Sequence, residues 1–437
     1  MIRMLHTSDW HLGVSMEQAP RHEEHRRFLE WILERAKDRA IDALVVSGDV
    51  FHYMQPSAAA QKELYGFLAR LAADSPIRSV VMVAGNHDSP TRFDAPRDVL
   101  GALDVHVIGA LPDDDDLERC LVPLENVDGV VEAVVAAIPY VSEGRLGVVT
   151  TKATPAEISQ RYQAAFTALY QRVREIATET YGDSVALIAT GHLTCVAPDV
   201  RSRDGDFHTP IHMFAPGADG VGPDVFEGWD YVALGHIHRH HQVGDGPIWY
   251  SGSPVPTDVV ESRTPRFAIE VDVEDGAVLR TKPVRLPRWR EVYELIGFED
   301  EVLELLKGLS WDSELSPYLY VERLLTTPTR AGVDRFQNFV VQHFPEPRPR
   351  IVGFRKKLVI DEETRAPTPK DLGPQSLADV SPEDVFAQMY RLKHDVDPPE
   401  EILVAFRSLL VADPEDETVE PEHLPRLAEP QPEGTVS

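Results

Sequence analysis

The sequence predicts a layered α/β sandwich, sheets covered by helices, followed by a small α+β domain and a pair of C-terminal helices. Two patterns predict it. Short apolar strands alternate with amphipathic helices through the first half of the chain, the arrangement in which helices cover the faces of a sheet. Around Pro287 the texture changes to shorter mixed elements and then to Pro- and acid-containing sequence. A chain of 437 residues is long enough for two or three domains.

The strands expected in the first part are Ile2–Thr7, Ala43–Ser47, Ser79–Ala84, Val134–Pro139, Ala186–Thr190 and Tyr231–Leu234, all short apolar runs. Between them, Glu24–Arg39 carries Phe28, Trp31 and Ile32 at helical spacing, and Ala58–Ala73 carries Leu64, Phe67, Leu68 and Leu71. A longer helix from about Ala156 to Thr178 sets Ile158, Tyr162, Phe166, Leu169 and Val173 on one stripe. Phe267–Val273, the turn Glu274-Asp275-Gly276 and Val278–Val284 read as a hairpin that closes the first domain, residues 1–286.

A second domain is expected over residues 287–360, from Glu291–Ile296, Leu303–Leu309, Tyr318–Leu324, Asp334–His343 and Ile351–Ile360. Residues 361–380 read as a linker. Ser381-Pro382-Glu383-Asp384 is a helix start, with a capping Ser, Pro in the first turn and acids beside it. Phe386, Met389 and Tyr390, then Leu403, Phe406 and Leu410, make residues 381–412 an amphipathic helix pair. The acidic, Pro-rich tail at 413–437 is expected to be disordered.

Composition excludes several classes. Two cysteines, Cys120 and Cys195, make no disulfide framework and no CxxC, which favours a reducing compartment. Met1–Trp10 reads as a buried strand entering a loop and lacks the pattern of a signal peptide. No apolar run is long enough to cross a bilayer, so a cytoplasmic location is expected. The formal charge of −29 is unusual for a protein that would grip phosphate-rich ligands. Either bound cations and a basic partner reverse the sign locally, or the acidity reflects solubility alone.

The chemistry lies in five short segments, each at the C-terminal end of an expected strand: Asp9-Trp10-His11, Gly48-Asp49-Val50-Phe51-His52, Gly85-Asn86-His87-Asp88, Gly191-His192 and Gly235-His236-Ile237-His238. Loops at those strand ends can converge on one ligand, and a Gly ahead of a ligand lets the backbone turn sharply out of the sheet. A DxH or a lone His occurs often by chance; five such segments in this order do not. Carboxylate, carboxamide and imidazole together suit Mn²⁺, Fe²⁺ or Zn²⁺, and the lack of Cys argues against a structural zinc site. A carboxylate can bridge two ions, and ions ~3.5–4 Å apart can clamp the attacking and leaving oxygens of a phosphate ester.

These segments resemble the calcineurin-like metallophosphoesterase superfamily over about residues 1–260. The resemblance implies that Asp9, His11 and His238 hold one divalent ion and that Asn86, His192 and His236 hold the other, with Asp49 bridging. It implies that His87 stands over the phosphate to steady or protonate the leaving oxygen, Asp88 orienting its ring, while coordinated water is the nucleophile. His6 through Gly13, Gly48 through His52, Asp230 through His238 and Tyr250 through Pro254 are also similar to the SbcD family, the bacterial MRE-type double-strand-break nucleases.

That second resemblance implies a further active-site histidine at His52, two Mn²⁺ ions, and a DNA nuclease of DNA repair and recombination. The implied activities are 3′→5′ exonuclease action on duplex ends and endonuclease action on single strands or hairpins. It also implies a homodimer within a heterotetramer, completed by an SbcC-like ABC-type ATPase docked on the C-terminal helices. This chain has no GxxxxGK[ST] of its own. The helix pair suits docking in a partner's groove, or else folds back on its own domain. Trp31 and Tyr65 could serve a dimer contact or core packing.

The alternative function is a small-molecule phosphodiesterase or phosphatase, which would turn over small esters without a partner. A scaffold that has lost its chemistry would also have lost ligand residues. The stretch Pro198–Gly222, with Arg201, Arg203 and Phe207, departs from the family pattern and leaves substrate preference open. Ser251–Pro254 is expected to form a tight turn. His240, His241, His22, His25, His208 and His212 are expected to face solvent without a role.

Overall fold

Two six-stranded sheets lie face to face, because nearly every strand of the first part is apolar on both sides and needs a cover on each. The computed structural model describes residues 1–149, 151, 153–196, 220–327, 329, 332–359, 383, 386–387, 390–391 and 397–411. Most of the divergent 198–222 stretch, with His208 and His212, lies outside the described residues. So do the linker, Ser381, Pro382, Asp384, Met389 and the 413–437 tail.

The strands of these two sheets, in chain order, are β1 Ile2–Thr7, β2 Ala43–Ser47, β3 Ser79–Val83, β4 Val105–Ile108, β5 Leu121–Glu125, β6 Val131–Ala136, β7 Ala186–His192, β8 Tyr231–Gly235, β9 His241–Gln242, β10 Ile248–Tyr250, β11 Phe267–Glu274 and β12 Ala277–Arg285. The first sheet has the order β12-β11-β1-β2-β3-β4, with β1 to β4 parallel and β11 antiparallel to β1. The second has the order β9-β10-β8-β7-β6-β5, parallel from β10 to β6. Its edge strands β9 and β5 are antiparallel to their neighbours.

Side chains alternate between faces along a strand. Met4, Val45, Val81 and Val83 therefore meet Val135, Ile188, Tyr231 and Ala233 in the layer between the sheets. Leu5, Leu44, Val46 and Met82 point the other way, under helices α1 His22–Arg39 and α2 Ala58–Asp74. Leu187, Ala189, Val232 and Leu234 pack beneath α3 Pro155–Tyr181. Parallel strands buried on both faces carry no polar alternation.

The helices start where local chemistry allows. Ser57 accepts the Ala60 N–H at the head of α2, and Thr154 with Glu157 forms a capping box at the head of α3. Trp10, fully buried, meets Phe28 of α1 and Phe67 of α2 edge-on, which fixes the loop after β1 to both helices. Trp31 and Tyr65 are partly buried against the same core. The expected strand Val134–Pro139 forms instead at Val131–Ala136. The unforeseen β5 pairs with it through an Asn126–Val130 turn, and the Ala137 and Ile138 N–H groups go to Cys120 and Thr190 outside the ladder.

Beyond β12 the chain forms β13 Arg290–Gly297, α4 Glu299–Lys307, β14 Leu315–Leu325, α5 Asp334–His343 and β15 Arg350–Leu358. These make two consecutive βαβ crossovers and a parallel three-stranded sheet, with a core of its own around Val302, Leu306, Leu319, Val321 and Phe336. All of this belongs to one compact unit, Met1–Val359; a second spans Ile360–Ser437. In the second unit α6 runs over Glu400–Val411, and Phe386 stacks on Phe406 at 4.2 Å. Among the described residues no helix is long and apolar enough to cross a membrane. Cys120 and Cys195 are buried and unpaired.

Two buried histidines depart from the sequence expectation or were not considered in it. His25 is fully buried in α1, not solvent-facing, because the helix turns that position toward Trp10; His6 is buried between the sheets, 2.9 Å from the Tyr231 hydroxyl. Burial, chiefly, lowers both rings to about 3. Their contribution to stability is complete above pH ~6.5, where the unfolded chain is also neutral, and is lost as pH falls toward 3. Urea titrations from pH 7 to 4 should show His25→Gln with a pH slope flatter by up to about 1.4 kcal/mol per pH unit. An unchanged slope would show that His25 takes up its proton in the folded protein.

Candidate metal centre

The five segments converge where the C-terminal ends of both sheets meet. Asp9 and His11 follow β1, Asp49 follows β2, Asn86 and His87 follow β3, His192 ends β7, and His236 and His238 follow β8. Asp9, His11, Asp49 and His236 all have positive φ, at 51°, 47°, 48° and 94°. Left-handed backbone at four non-glycine residues is costly, and such conformations gather at functional sites.

The glycines have a different role from the one expected. Only Gly48 combines a positive φ, 87°, with its place ahead of a site residue. At Gly85 an added Cβ would lie 2.1 Å from Asp49 Oδ1, and at Gly235 1.9 Å from the Ser47 carbonyl oxygen. At Gly191 it would lie 2.6 Å from the Tyr170 hydroxyl. Close approach of one strand end to the next, more than sharp turning, is what demands glycine there.

Donor atoms crowd this junction. The ligand-type atoms of Asp9, His11, Asp49 and His238 lie within 4.8 Å of one another, and so do those of His11, His52 and His87. Asp49 Oδ2 stands 3.6 Å from His11 Nε2 and 3.3 Å from His192 Nε2. Asn86 Oδ1 lies 3.0 Å from both His192 Nε2 and His236 Nδ1, and His11 Nε2 is 2.9 Å from His238 Nε2. His192 Nδ1 is 2.9 Å from the Ser47 carbonyl and His238 Nδ1 is 2.5 Å from Glu261. A proton on each Nδ1 serves those acceptors and turns the Nε2 lone pair into the cluster.

The electrostatics suits a cation. Asp9 and Asp49 are buried within one cluster. Burial pushes Asp9 above the usual carboxylate range. Burial would do the same to Asp49, but His192, His11 and His87 outweigh it and hold it well below. Burial works against a charged His238, yet Glu261 and Asp9 push it up to about 9; Asp49 and Asp9 likewise push His192 up to about 9. His236 falls to about 3 through burial and the neighbouring His192, and His11 lies well below its ordinary value through burial. Buried carboxylates and imidazoles at this density are the donor set of a hard-to-borderline divalent ion.

The two further histidines border the same space. The His52 and His87 rings stack 5.4 Å apart, and His11 meets the His87 ring edge-on at 4.9 Å. His87 Nδ1 bonds the His52 carbonyl at 2.9 Å, which frees Nε2. Burial first, then His87, lowers His52 to about 4. Asp88 does not orient the His87 ring. Its carboxylate accepts the N–H groups of Gly85, Val50 and Phe51, because it turns inward beneath the loops and ties the ends of β2 and β3 together.

Glu261 is the residue missed by sequence reasoning. It opens a single 3-10 turn, Glu261–Arg263, 23 positions beyond His238 and outside any motif, and only tertiary folding brings it to that ring. Thr257 and Arg266 hold its carboxylate in turn. The Ser251–Pro254 turn is also part of the support: Ser251 meets Ser8, the Ser8 hydroxyl donates to Asp9, and the Ser253 N–H donates to the His238 carbonyl. His240 and His241 do not simply face solvent; they stack on Trp249 and Tyr250. His22 is exposed as expected.

The calcineurin-like phosphoesterase family model matches residues 2–240. The SbcD component of the nuclease SbcCD from Rhodobacter capsulatus is 35% identical, over 65% of this chain and 70% of that protein. The chain belongs to the calcineurin-like phosphoesterases and, within them, to the SbcD nuclease family. The Escherichia coli member is 31% identical over 65% of this chain and 68% of its own length. The Bacillus subtilis member is 28% identical over 67% and 69%. As a member of this family the chain is a metal-dependent phosphodiester hydrolase of the nuclease kind, and divalent metals are the family's cofactor.

Two variants test the architecture of the site. Glu261→Gln should weaken divalent-metal binding by about 10- to 100-fold with the fold intact, measured by calorimetric titration of Mn²⁺; unchanged affinity would make Glu261 a purely structural contact. Gly235→Ala should lower stability by about 1–3 kcal/mol in urea unfolding, since the Ser47 carbonyl cannot move without disturbing β2. A wild-type midpoint would contradict the close-approach argument.

Proposed function

We propose that this chain is a two-metal DNA nuclease subunit, with Asp9, His11 and His238 holding one ion, Asn86, His192 and His236 the other, and Asp49 between them. The observation that carries this reading is the position of the Asp49 carboxylate, within 3.6 Å of a ring nitrogen from each histidine group. Mn²⁺, the ion that the resemblance to SbcD nucleases implies, is one of those that the mixed carboxylate, carboxamide and imidazole donors suit. When bound, the pair would supply a nucleophilic water at neutral pH and neutralise charge on the phosphate.

The remaining work falls to the protein. His87, whose Nδ1–H donates to the His52 carbonyl, presents Nε2 on its other side; with the ring doubly protonated, the Nε2–H would steady the departing 3′-oxygen or give it its proton. His52 lies beside the scissile phosphate as a second, neutral imidazole. Asp88 keeps the β2 and β3 loops in register. The substrate is DNA, degraded 3′→5′ from duplex ends and cut within single strands and hairpins.

Residues 1–286 form the catalytic domain in this reading, and 287–360 form a cap that borders the substrate. The amphipathic segment at 381–412 docks on an SbcC-like ABC-type ATPase, in a heterotetramer built on a nuclease homodimer. The similarity to SbcD proteins, each named as one part of an SbcCD nuclease, supports this assembly.

Incubation of the purified chain with end-labelled duplex and hairpin DNA and Mn²⁺ tests the reading. Cleavage should disappear in EDTA and fall by at least about 100-fold in Asp49→Asn, as expected when a residue needed for metal assembly is removed. Turnover of a small chromogenic phosphodiester but never of DNA, even with the ATPase present, would overturn the nuclease assignment.

A further inference from the structure

A cavity of about 240 Å³ lies between the Pro254–Arg266 loop, the start of α1 and the segment that joins β12 to β13. Its walls carry five arginines, Arg21, Arg266, Arg285, Arg288 and Arg290, against a single carboxylate, Glu24. This concentration of positive charge occurs in a chain whose formal charge is −29. None of these arginines belongs to a sequence motif of the metal centre, and of the five only Arg266 touches the groups that support it.

Three of the arginines have partners in the protein. Arg21 and Arg290 share Glu24, at 3.2 and 2.6 Å, and Arg266 bonds the His238 carbonyl at 2.8 Å and Glu261 at 3.4 Å. Arg285 and Arg288 are exposed and, among the described residues, their side chains make no ion pair or hydrogen bond. Arg21 and Arg266 are buried, and the Nε of each lacks a hydrogen-bond partner.

A cluster of five guanidinium groups, two of them exposed and without a partner among the described residues, suits a multidentate anion, and the planar fork fits phosphate. The volume falls below the roughly 300–1,000 Å³ of drug-sized ligand sites, so it suits a single phosphate group better than a whole metabolite. Through Arg266 the cavity is joined to the Glu261–His238 pair of the metal centre.

We propose that this cavity is a phosphate subsite that takes a backbone phosphate of the nucleic-acid strand, away from the scissile one, with Arg285 and Arg288 as its contacting side chains. The proposal rests on the nuclease reading for the identity of the strand. It gives the acidic chain a local basic hold on DNA and sets the strand's path relative to the metals.

The test uses the full chain in EDTA, where nothing is cleaved, and a fluorescent single-stranded oligonucleotide titrated at several salt concentrations. Arg285→Gln/Arg288→Gln should weaken binding by about tenfold and reduce the salt slope by about 0.7, the loss of one strand-phosphate contact. Arg119→Gln/Arg172→Gln removes the same charge from exposed positions outside the cavity and should change neither. Turnover of the small chromogenic phosphodiester with Mn²⁺ should match wild type in both variants, which reports an intact fold and centre.

Equal affinity and slope for the cavity variant and wild type would overturn the subsite. So would loss of inorganic pyrophosphate binding with strand affinity unmoved, which would assign the cavity to a free phosphate compound. If wild type hydrolyses neither DNA nor the small ester, the nuclease reading fails, while the EDTA titration still decides the cavity.

Discussion

The buried Asp49 carboxylate is the constraint on which the rest of the structure depends. An anion out of water must be compensated by charge, by hydrogen bonds or by a bound cation. Asp49 has the His87 N–H at 2.8 Å and two imidazole nitrogens within 3.6 Å. To bring those groups together, the ends of β1, β2, β3, β7 and β8 must approach almost to contact. The absence of a side chain at Gly48, Gly85 and Gly235 permits that approach, and left-handed backbone at Asp9, His11, Asp49 and His236 aims the donors inward. The two sheets are thus clamped at one end by the site and along their length by an apolar layer.

Around that centre runs a shell of groups that hold the inner residues in place. Glu261 fixes the tautomer of His238, the Ser47 carbonyl fixes that of His192, and Asp88 joins two loops through three backbone N–H groups. Arg266 links this shell to the arginine-lined cavity at the edge of the fold. A net charge of −29 is therefore a poor guide to local potential: the chain is acidic as a whole but sets five guanidinium groups around one small space. Charge balance over a whole sequence averages away such patches.

Much of the fold was legible because its signals are local. Strands β1, β2, β3, β7 and β8 appear where short apolar runs predicted them, and the three long helices follow the spacing of Phe28, Leu64 and Phe166 with their neighbours. The misses have a common cause. Strands β4, β5, β9 and β10 are two to five residues long and gain their identity from the neighbour they pair with, and no sequence window contains that neighbour. His25 was misjudged for the same reason: its fate depends on which turn of α1 faces the core.

For the site, the sequence by itself determined the chemistry: Asp, Asn and His after short apolar runs, each in a spacing with few other uses, and enough of them to name the ligand class. What only the tertiary structure decided was their mutual arrangement. It paired Glu261 with His238, gave the His87 ring to the His52 carbonyl in place of Asp88, and gathered arginines from the residue that caps α1, a loop and an interdomain segment. The physical reason is range. Residue type and strand-end position are set within a few residues, whereas a hydrogen bond between positions 23 or 35 apart exists only once packing has fixed both ends.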